Sequence, residues 1–309
     1  MASVIDSVLP VFLLIATGWL ARVSGLVEGT HWTGIEKVTY FIFFPAIISH
    51  TLARADLASV PVLGVGGALV SAILLIAVLL LVTRAFLERR IGLDGPSFTS
   101  LFQGSTRWNT FIALAVATSL FGPRGVTLIA VAIAAMVPLL NTLAFYVLVR
   151  FAGGHPQTTL QLLRTFVANP FIWSSAIGLA LNLSCLSLPK PVETFVDILG
   201  RASLAAGLMI VGAGLDARRL ARPESVHFIA LAAKLAVLPF VAILLARLFG
   251  VGGLDLAVTV VAASVPTSSG AYAFAKQMGG NAPLMAEIIT IQTLVSLATL
   301  PLMVALFAV

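Results

Sequence analysis

Two short polar runs interrupt apolar sequence about 160 residues apart, and they hold most of the chemistry this chain offers. The first reads Gly104-Ser105-Thr106-Arg107-Trp108-Asn109-Thr110, the second Ser264-Val265-Pro266-Thr267-Ser268-Ser269-Gly270-Ala271. Their side chains are hydroxyls, one carboxamide and one guanidinium, a set suited to holding an anion. In hydrocarbon, helix-breaking sequence is tolerated only where it lines a protein cavity or is repacked by neighbours. Two such breaks at corresponding places in two halves point to the binding site of a secondary carrier.

Arg107 is the sharpest residue. A guanidinium inside an apolar span is costly unless it faces a cavity or a partner, and its planar fork matches a carboxylate. Three roles fit it: contact with a substrate carboxylate, an internal pair with an acid such as Glu287 or Asp197, or a snorkelled position at the helix end. Asn109 and Thr110 are read as substrate contacts, against the plainer role of an interhelical hydrogen bond. Thr106, Pro266, Thr267, Ser268, Ser269 and Gly270 offer hydroxyls and freed carbonyls and are read as the remainder of the site, against a kink repacked by its neighbours. The start of each half-helix adds N–H groups that favour an anion.

Outside the breaks, Asp197 and Arg201 are four apart on one helix face and form a structural or gating pair. Lys234 and Glu287 lie in apolar sequence; each is first a structural residue, and each would couple protons if desolvation moved its titration. His50 reads as an interfacial histidine before a proton relay. His31, His155 and His227 fall in or beside loops and carry no signal. One cysteine, Cys185, leaves no intrachain disulfide and no multi-thiolate metal site. No metal or cofactor is expected.

The elements that must position these residues are membrane helices. Hydrophobic residues make up 60% of the 309 and charged residues 10%, with mean hydropathy +1.09, against roughly 25% charged in soluble domains. Apolar intervals able to span, about 20 residues each, fall near 4–22, 35–53, 60–84, 97–121, 125–149, 165–184, 194–215, 226–249, 254–276 and 284–308. The fold class is therefore an all-α polytopic membrane protein of ten helices, with helices 4 and 9 broken. The alternating pattern of barrel strands is missing, and the short connections leave no room for a soluble domain. The N-terminus lacks the basic region of a signal peptide, so its first apolar run is expected to remain as helix 1.

Composition also narrows function. The pI near 10.1 comes from Lys and Arg in short loops, which is topogenic charge and not a nucleic-acid surface. His-Glu-x-x-His, paired Asp-x-x-Asp and Gly-x-Gly-Asp motifs are missing, so membrane-enzyme chemistry lacks its residues. With no acidic pair near either break, a cation is not the expected cargo. Eleven of the eighteen Lys and Arg flank the odd-numbered loops, among them Arg84, Arg89, Arg90, Arg150, Arg218 and Arg219, while Arg54, Arg124, Lys190 and Arg247 flank the even ones. That bias puts the odd loops in the cytoplasm and both termini outside the plasma (inner) membrane.

A shift of about 160 lays Pro10 on Pro170, Gly18 on Gly178, Ser24 on Ser184, Thr106 on Pro266 and Asn109 on Ser269. The expected division is a first five-helix repeat at 1–150, a cytoplasmic linker at 151–163 and a second repeat at 164–309. Because five is odd, the second copy enters the membrane inverted.

At these residues the chain resembles the auxin efflux carrier family, which includes the plant PIN carriers and bacterial members and is related to the bile acid/sodium symporters. Pro266 to Gln277 is similar to the plant pattern L-P-Q-G-I-V-P-F-V-F-A-K-E, and Arg107-Trp108-Asn109-Thr110 to L-P-N-T. Pro45 with His50 five positions on, Pro10, and Gly34-Ile35 match further. Trp108 stands where the family has proline, and Ala271 replaces the second proline of helix 9. The resemblance implies crossing broken helices 4 and 9, a scaffold of helices 1, 2, 6 and 7, and a mobile domain of 3–5 and 8–10. The large cytoplasmic loop of the plant carriers is missing, which favours a bacterial member whose substrate is not auxin. The expected activity is secondary active or facilitative transport of a small carboxylate by alternating access, with export favoured; the alternative is proton- or sodium-coupled uptake of a malonate-like anion, and a channel is the lesser rival. The expected partners are that anion and the lipid bilayer, and the sequence leaves room for a homodimer.

Overall fold

The computed structural model describes residues 2–55, 61–153, 170–184, 188–215 and 224–307. Most of the expected linker, Cys185 and the 216–222 loop lie outside the described residues. Everything regular among the described residues is helical. Helices α1 (Ala2–Val23), α2 (Gly29–Val38), α3 (Phe44–Ala53), α4 (Val62–Ile91), α5 (Gly95–Thr106) and α6 (Thr110–Phe151) form the first series. Helices α7 (Pro170–Leu183), α8 (Lys190–Ala213), α9 (Ser225–Ala232), α10 (Leu238–Leu248), α11 (Gly253–Ser264), α12 (Gly270–Gln277) and α13 (Ala282–Phe307) form the second. Helix lies in all ten apolar intervals, so the chain is a polytopic all-α membrane protein.

Helical stretches long and apolar enough to cross a membrane are fewer than the intervals. Five such stretches occur among the described residues: Val62–Ile91, Gly95–Phe151, Lys190–Ala213, Ser225–Leu248 and Ala282–Phe307. The difference has local causes. The fourth and ninth intervals are each cut by their polar run. The fourth and fifth are joined without a loop, because α6 turns sharply at Gly122 (φ 57, ψ −143), a left-handed conformation that suits glycine. Single π-helical turns at Thr39–Phe43 and Ala233–Val237 link α2 to α3 and α9 to α10.

The chain divides into two compact units that interleave along the sequence. The first is drawn from Met1–Pro61, Phe111–Ala134 and Thr158–Gly214, the second from Val62–Thr110, Ala135–Gln157 and Leu215–Val309. The first thus holds α1, α2, α3, α7 and α8, the helices expected of a scaffold, together with the middle of α6.

In the first unit, α1 packs on α8 and α3 on α7. A Cβ added at Gly18 would lie 2.0 Å from the Met209 carbonyl oxygen, and one added at Gly178 would lie 2.7 Å from that of Ser49. Helices in lipid associate through such small-residue contacts, since apolar burial alone offers no gain there. The two contacts are related by the repeat offset: adding 160 to Gly18 and Ser49 gives Gly178 and Met209. Asn182 Nδ2 reaches the carbonyls of Leu52, Ala53 and Ala55 at 3.0, 3.2 and 2.8 Å, satisfying the C-terminal end of α3.

In the second unit, α4 packs on α10, and α13 lies against α5 and α11. Asp94 caps α5 by accepting from the Ser97 N–H at 2.8 Å. Asn281 does the same for α13, accepting from Leu284 N–H at 3.1 Å, while its Nδ2 donates to Ser97 Oγ at 2.9 Å. One capping residue therefore fixes the starts of α5 and α13 together.

Candidate functional site

The two breaks face one another in the second unit. Helix α5 ends at Thr106, Arg107 turns extended (φ −67, ψ 158), and helix resumes at Thr110. Helix α11 ends at Ser264, Val265 turns extended (φ −72, ψ 149), and α12 begins at Gly270. The Asn109 backbone N–H donates to the Pro266 carbonyl at 3.1 Å, joining break to break. Trp108 Nε1 donates to the Ala262 carbonyl at 2.6 Å. Trp108 thus supplies a second tie across the crossover.

The carbonyl of Gly104, in the last turn of α5, shows how helix ends in lipid are satisfied. It accepts from Thr267 Oγ1 at 2.7 Å and from Gln292 Nε2 at 2.8 Å. Gln292 also donates to the Ala230 carbonyl at 3.1 Å and accepts from the Thr267 N–H at 3.0 Å. One buried carboxamide on α13 thereby ties α5, α9 and the second break. Gly104 must be small here, since a Cβ would sit 2.7 Å from Ile288 Cγ2.

Arg107 is buried. Its guanidinium donates to Gln103 Oε1 at 3.3 Å and to Asn141 Oδ1 at 2.7 Å, and it lies over the Phe274 ring, 4.2 Å from the centroid. Carboxamide oxygens and an aromatic face hold the fork without cancelling its charge. The acids proposed as its partners are engaged elsewhere: Glu287 with His227 at 2.9 Å, and Asp197 with Arg201 at 2.9 Å.

The structure sorts the expected site residues by access. Thr106, Arg107, Asn109, Pro266 and Thr267 are buried, and the Thr106 hydroxyl is turned back to the Phe102 carbonyl at 2.7 Å. Thr110, Ser268, Ser269 and Gly270 are half-buried, so they present the crossover's accessible edge. Gly270 N–H donates to Ser268 Oγ at 3.2 Å. The Thr106 and Thr267 hydroxyls are thus spent on backbone carbonyls within the crossover, while Thr110, Ser268 and Ser269 lie on its accessible edge.

Four polar residues that the spacing argument does not single out complete the crossover: Gln103, Asn141, Ser264 and Gln292. Gln103 Nε2 and Ser264 Oγ are buried with no hydrogen-bond partner among the described residues. Each lies in the last turn before a break, which is the signal available in sequence. Asn141 and Gln292 are lone carboxamides in apolar helices, which is their signal in sequence.

The remaining candidates are separate. Lys234 is fully buried in the π turn, and its Nζ has no hydrogen-bond partner among the described residues; π turns often mark functional places. His227, which carries no signal in sequence, is nearly buried and accepts the Glu224 N–H on Nδ1 at 2.9 Å. Its proton is then on Nε2, donated to Glu287. His50, Asp197 and Arg201 line one cavity of the first unit together with Arg54 and Arg124.

Comparison with known proteins agrees with a membrane carrier. Residues 155–304 match the family model described as "Membrane transport protein". Over 300 residues the chain is 26% identical to a protein of Methanothermobacter thermautotrophicus named "Uncharacterized transporter", covering 96% of each chain. Over 154 residues it is 30% identical to a Rhizobium meliloti protein named "Putative malonate transporter", covering 48% of each. With the apolar helices, these similarities support a multi-pass membrane protein that is a transporter rather than an enzyme.

Proposed function

We propose that the chain moves a small organic anion across the plasma membrane by alternating access, and that the crossover of the two broken helices binds the anion's carboxylate. The observation that carries this reading is the Asn109 N–H bond to the Pro266 carbonyl. It holds the start of the resumed helix at Thr110 near the start of α12 at Gly270, two positive helix ends. Arg107 adds a full charge beside the first break. Thr110, Ser268 and Ser269 offer donors at the accessible edge, and the Asn109 carboxamide lies just behind.

An auxin efflux carrier-like arrangement of inverted repeats supports the alternating-access part of the proposal. The contacts Gly18–Met209 and Gly178–Ser49, exchanged by one offset, are what two inverted copies produce. The bias of loop charges supports an orientation with both termini outside. Export of an anion from a cell negative inside gains about 2.3 kcal/mol per charge per 100 mV, so efflux requires no coupling ion.

A second reading, ion-coupled uptake of a malonate-like carboxylate, is favoured by the fully buried Lys234 and by the name carried by the Rhizobium relative. The test of both is a thermal-shift screen of organic acids on purified protein. A ligand present at 100 times its Kd adds about 2.7 kcal/mol to the folded state. A shift with carboxylates that falls to about half in Asn109→Ala at the same ligand concentration is the expected result. A screen in which only cations or uncharged solutes shift the melt contradicts an anion carrier.

A further inference from the structure

Three helices of the second unit close on the same pattern, an exposed aromatic ring and, four residues later, an exposed base. Phe86 and Arg90 end α4, Tyr146 and Arg150 end α6, and Tyr272 and Lys276 end α12. Residues four apart share a helix face, so each base stands one turn beyond its ring. Tyrosine rings in membrane proteins sit at the level of the lipid headgroups, and basic side chains beyond them reach outward to the phosphates. We propose that this end of the second unit binds the phosphate headgroup of an anionic phospholipid, held by Arg89, Arg90, Arg150 and Lys276.

Close packing gathers the three ends. Gly95 opens α5 so near to α6 that a Cβ there would lie 2.1 Å from the Phe151 carbonyl oxygen. Gly279 follows α12 in a left-handed conformation (φ 79), and its Cβ would lie 2.9 Å from the Ala152 carbonyl oxygen. From α4, the Arg84 guanidinium lies over the Phe151 ring, 4.3 Å from the centroid. Both α4 and α12 therefore meet the end of α6.

The carboxylates at this end are engaged. Glu88 pairs with Arg84 at 3.5 Å, and Asp94 caps α5. Arg89, Arg90, Arg150 and Lys276 have no carboxylate partner among the described residues. A phosphate answers that excess, and each guanidinium can offer it two parallel hydrogen bonds. The bias of loop charges supports this end as the cytoplasmic one, and the cytoplasmic leaflet carries the negative surface potential of anionic lipid.

An acyl chain also has a place to lie. Leu75, Leu79, Val82 and Phe86 are exposed and recur every three or four residues, forming one apolar face of α4. Arg89 and Arg90 flank the end of that face. A free anion has no use for the stripe; a lipid fits both parts.

The other end of α4 supplies a control. A Cβ added at Gly67 would lie 3.3 Å from Phe249 Cε2, and the exposed Arg247 stands two residues before that ring. From Gly67 to Arg89 an α-helix rises about 33 Å, close to the thickness of the hydrocarbon core, about 30 Å. Arg247 thus marks the opposite membrane face.

The experiment uses the purified full chain in neutral detergent. Phosphatidylglycerol and phosphatidylcholine, each carrying a fluorophore on the acyl chain, are titrated with protein and followed by anisotropy. Phosphatidylglycerol should bind at least fivefold more tightly. That preference should fall at least threefold in Arg89→Gln/Arg90→Gln and in Arg150→Gln/Lys276→Gln, and Arg247→Gln should leave it unchanged. Equal affinity for the two lipids overturns the site, and an equal loss in Arg247→Gln overturns its location. Displacement of phosphatidylglycerol by inorganic phosphate or malonate overturns the lipid assignment in favour of a free anion. If a double variant folds poorly, salt decides on the wild-type chain. Raising it several-fold should weaken phosphatidylglycerol alone, and an unchanged preference overturns the proposal. Binding is read without transport, so either result leaves the crossover reading to its own test.

Discussion

The backbone N–H of Asn109 donates to the carbonyl of Pro266 at 3.1 Å, so the two interruptions that lie about 160 residues apart in sequence are one feature in space. An N–H without a partner in the membrane costs several kcal/mol. Each break therefore supplies what the other lacks.

That bond separates the Asn109 backbone from its side chain. Asn109→Ala keeps the N–H, so the protein should fold and melt within a few degrees of wild type, while carboxylate affinity falls about tenfold, or 1.4 kcal/mol. Asn109→Pro removes the N–H and should lower stability as well as abolish binding. Melting curves and binding isotherms for both variants check this; equal stability losses in both would place the side chain in packing alone.

Arg107→Gln should weaken anion binding by at least tenfold, about 1.4 kcal/mol, with the fold retained, because the buried charge takes its desolvation cost with it. Arg107→Lys should rescue only in part. It loses the two-point fork that spans Gln103 and Asn141, and the guanidinium's contact over the Phe274 ring. Unchanged affinity in a folded Gln variant would move Arg107 out of the site.

Gly104→Ala should destabilise by about 1–3 kcal/mol through overpacking against Ile288 Cγ2. Ile288→Ala in the same chain should recover most of the loss. Denaturation of the single and double variants measures the coupling, and additive losses would mean that the two residues do not meet.

Glu287 holds the Nε2–H of His227, whose Nδ1 is committed to the Glu224 N–H. Glu287→Ala leaves that buried donor unmet and should cost about 1–3 kcal/mol. Glu287→Gln keeps an acceptor and should cost less than half as much. If Glu287 is instead the proton-coupling group of an uptake carrier, Glu287→Gln should remove the pH dependence of transport while leaving stability nearly unchanged.

The apolar helical intervals and the two breaks are legible in sequence because each rests on local pattern. The Gly122 turn is half legible: a boundary between 121 and 125 is expected, but an apolar stretch without a loop gives no sign that the helix reverses there. The partners of Arg107 are not legible, because Asn141 stands 34 residues away and only packing brings it to the fork. His227 reads as a loop histidine until the capping geometry and Glu287 fix both ring nitrogens. Pairing across helices is three-dimensional information that hydropathy does not contain.

Orientation is checked by labelling. A cysteine placed in the 216–222 loop should resist an impermeant maleimide applied to intact cells, since the basic residues there keep it inside. Rapid labelling from outside would reverse the orientation.

Counterflow in proteoliposomes tests the central claim most directly. Vesicles holding the wild-type chain and loaded with unlabelled carboxylate from the thermal-shift screen should accumulate the labelled form transiently, with saturation as concentration rises, and Asn109→Ala should need about tenfold more substrate for the same overshoot. Flux that rises without saturation and shows no overshoot would mean a channel, and the crossover would not be a carrier's binding site.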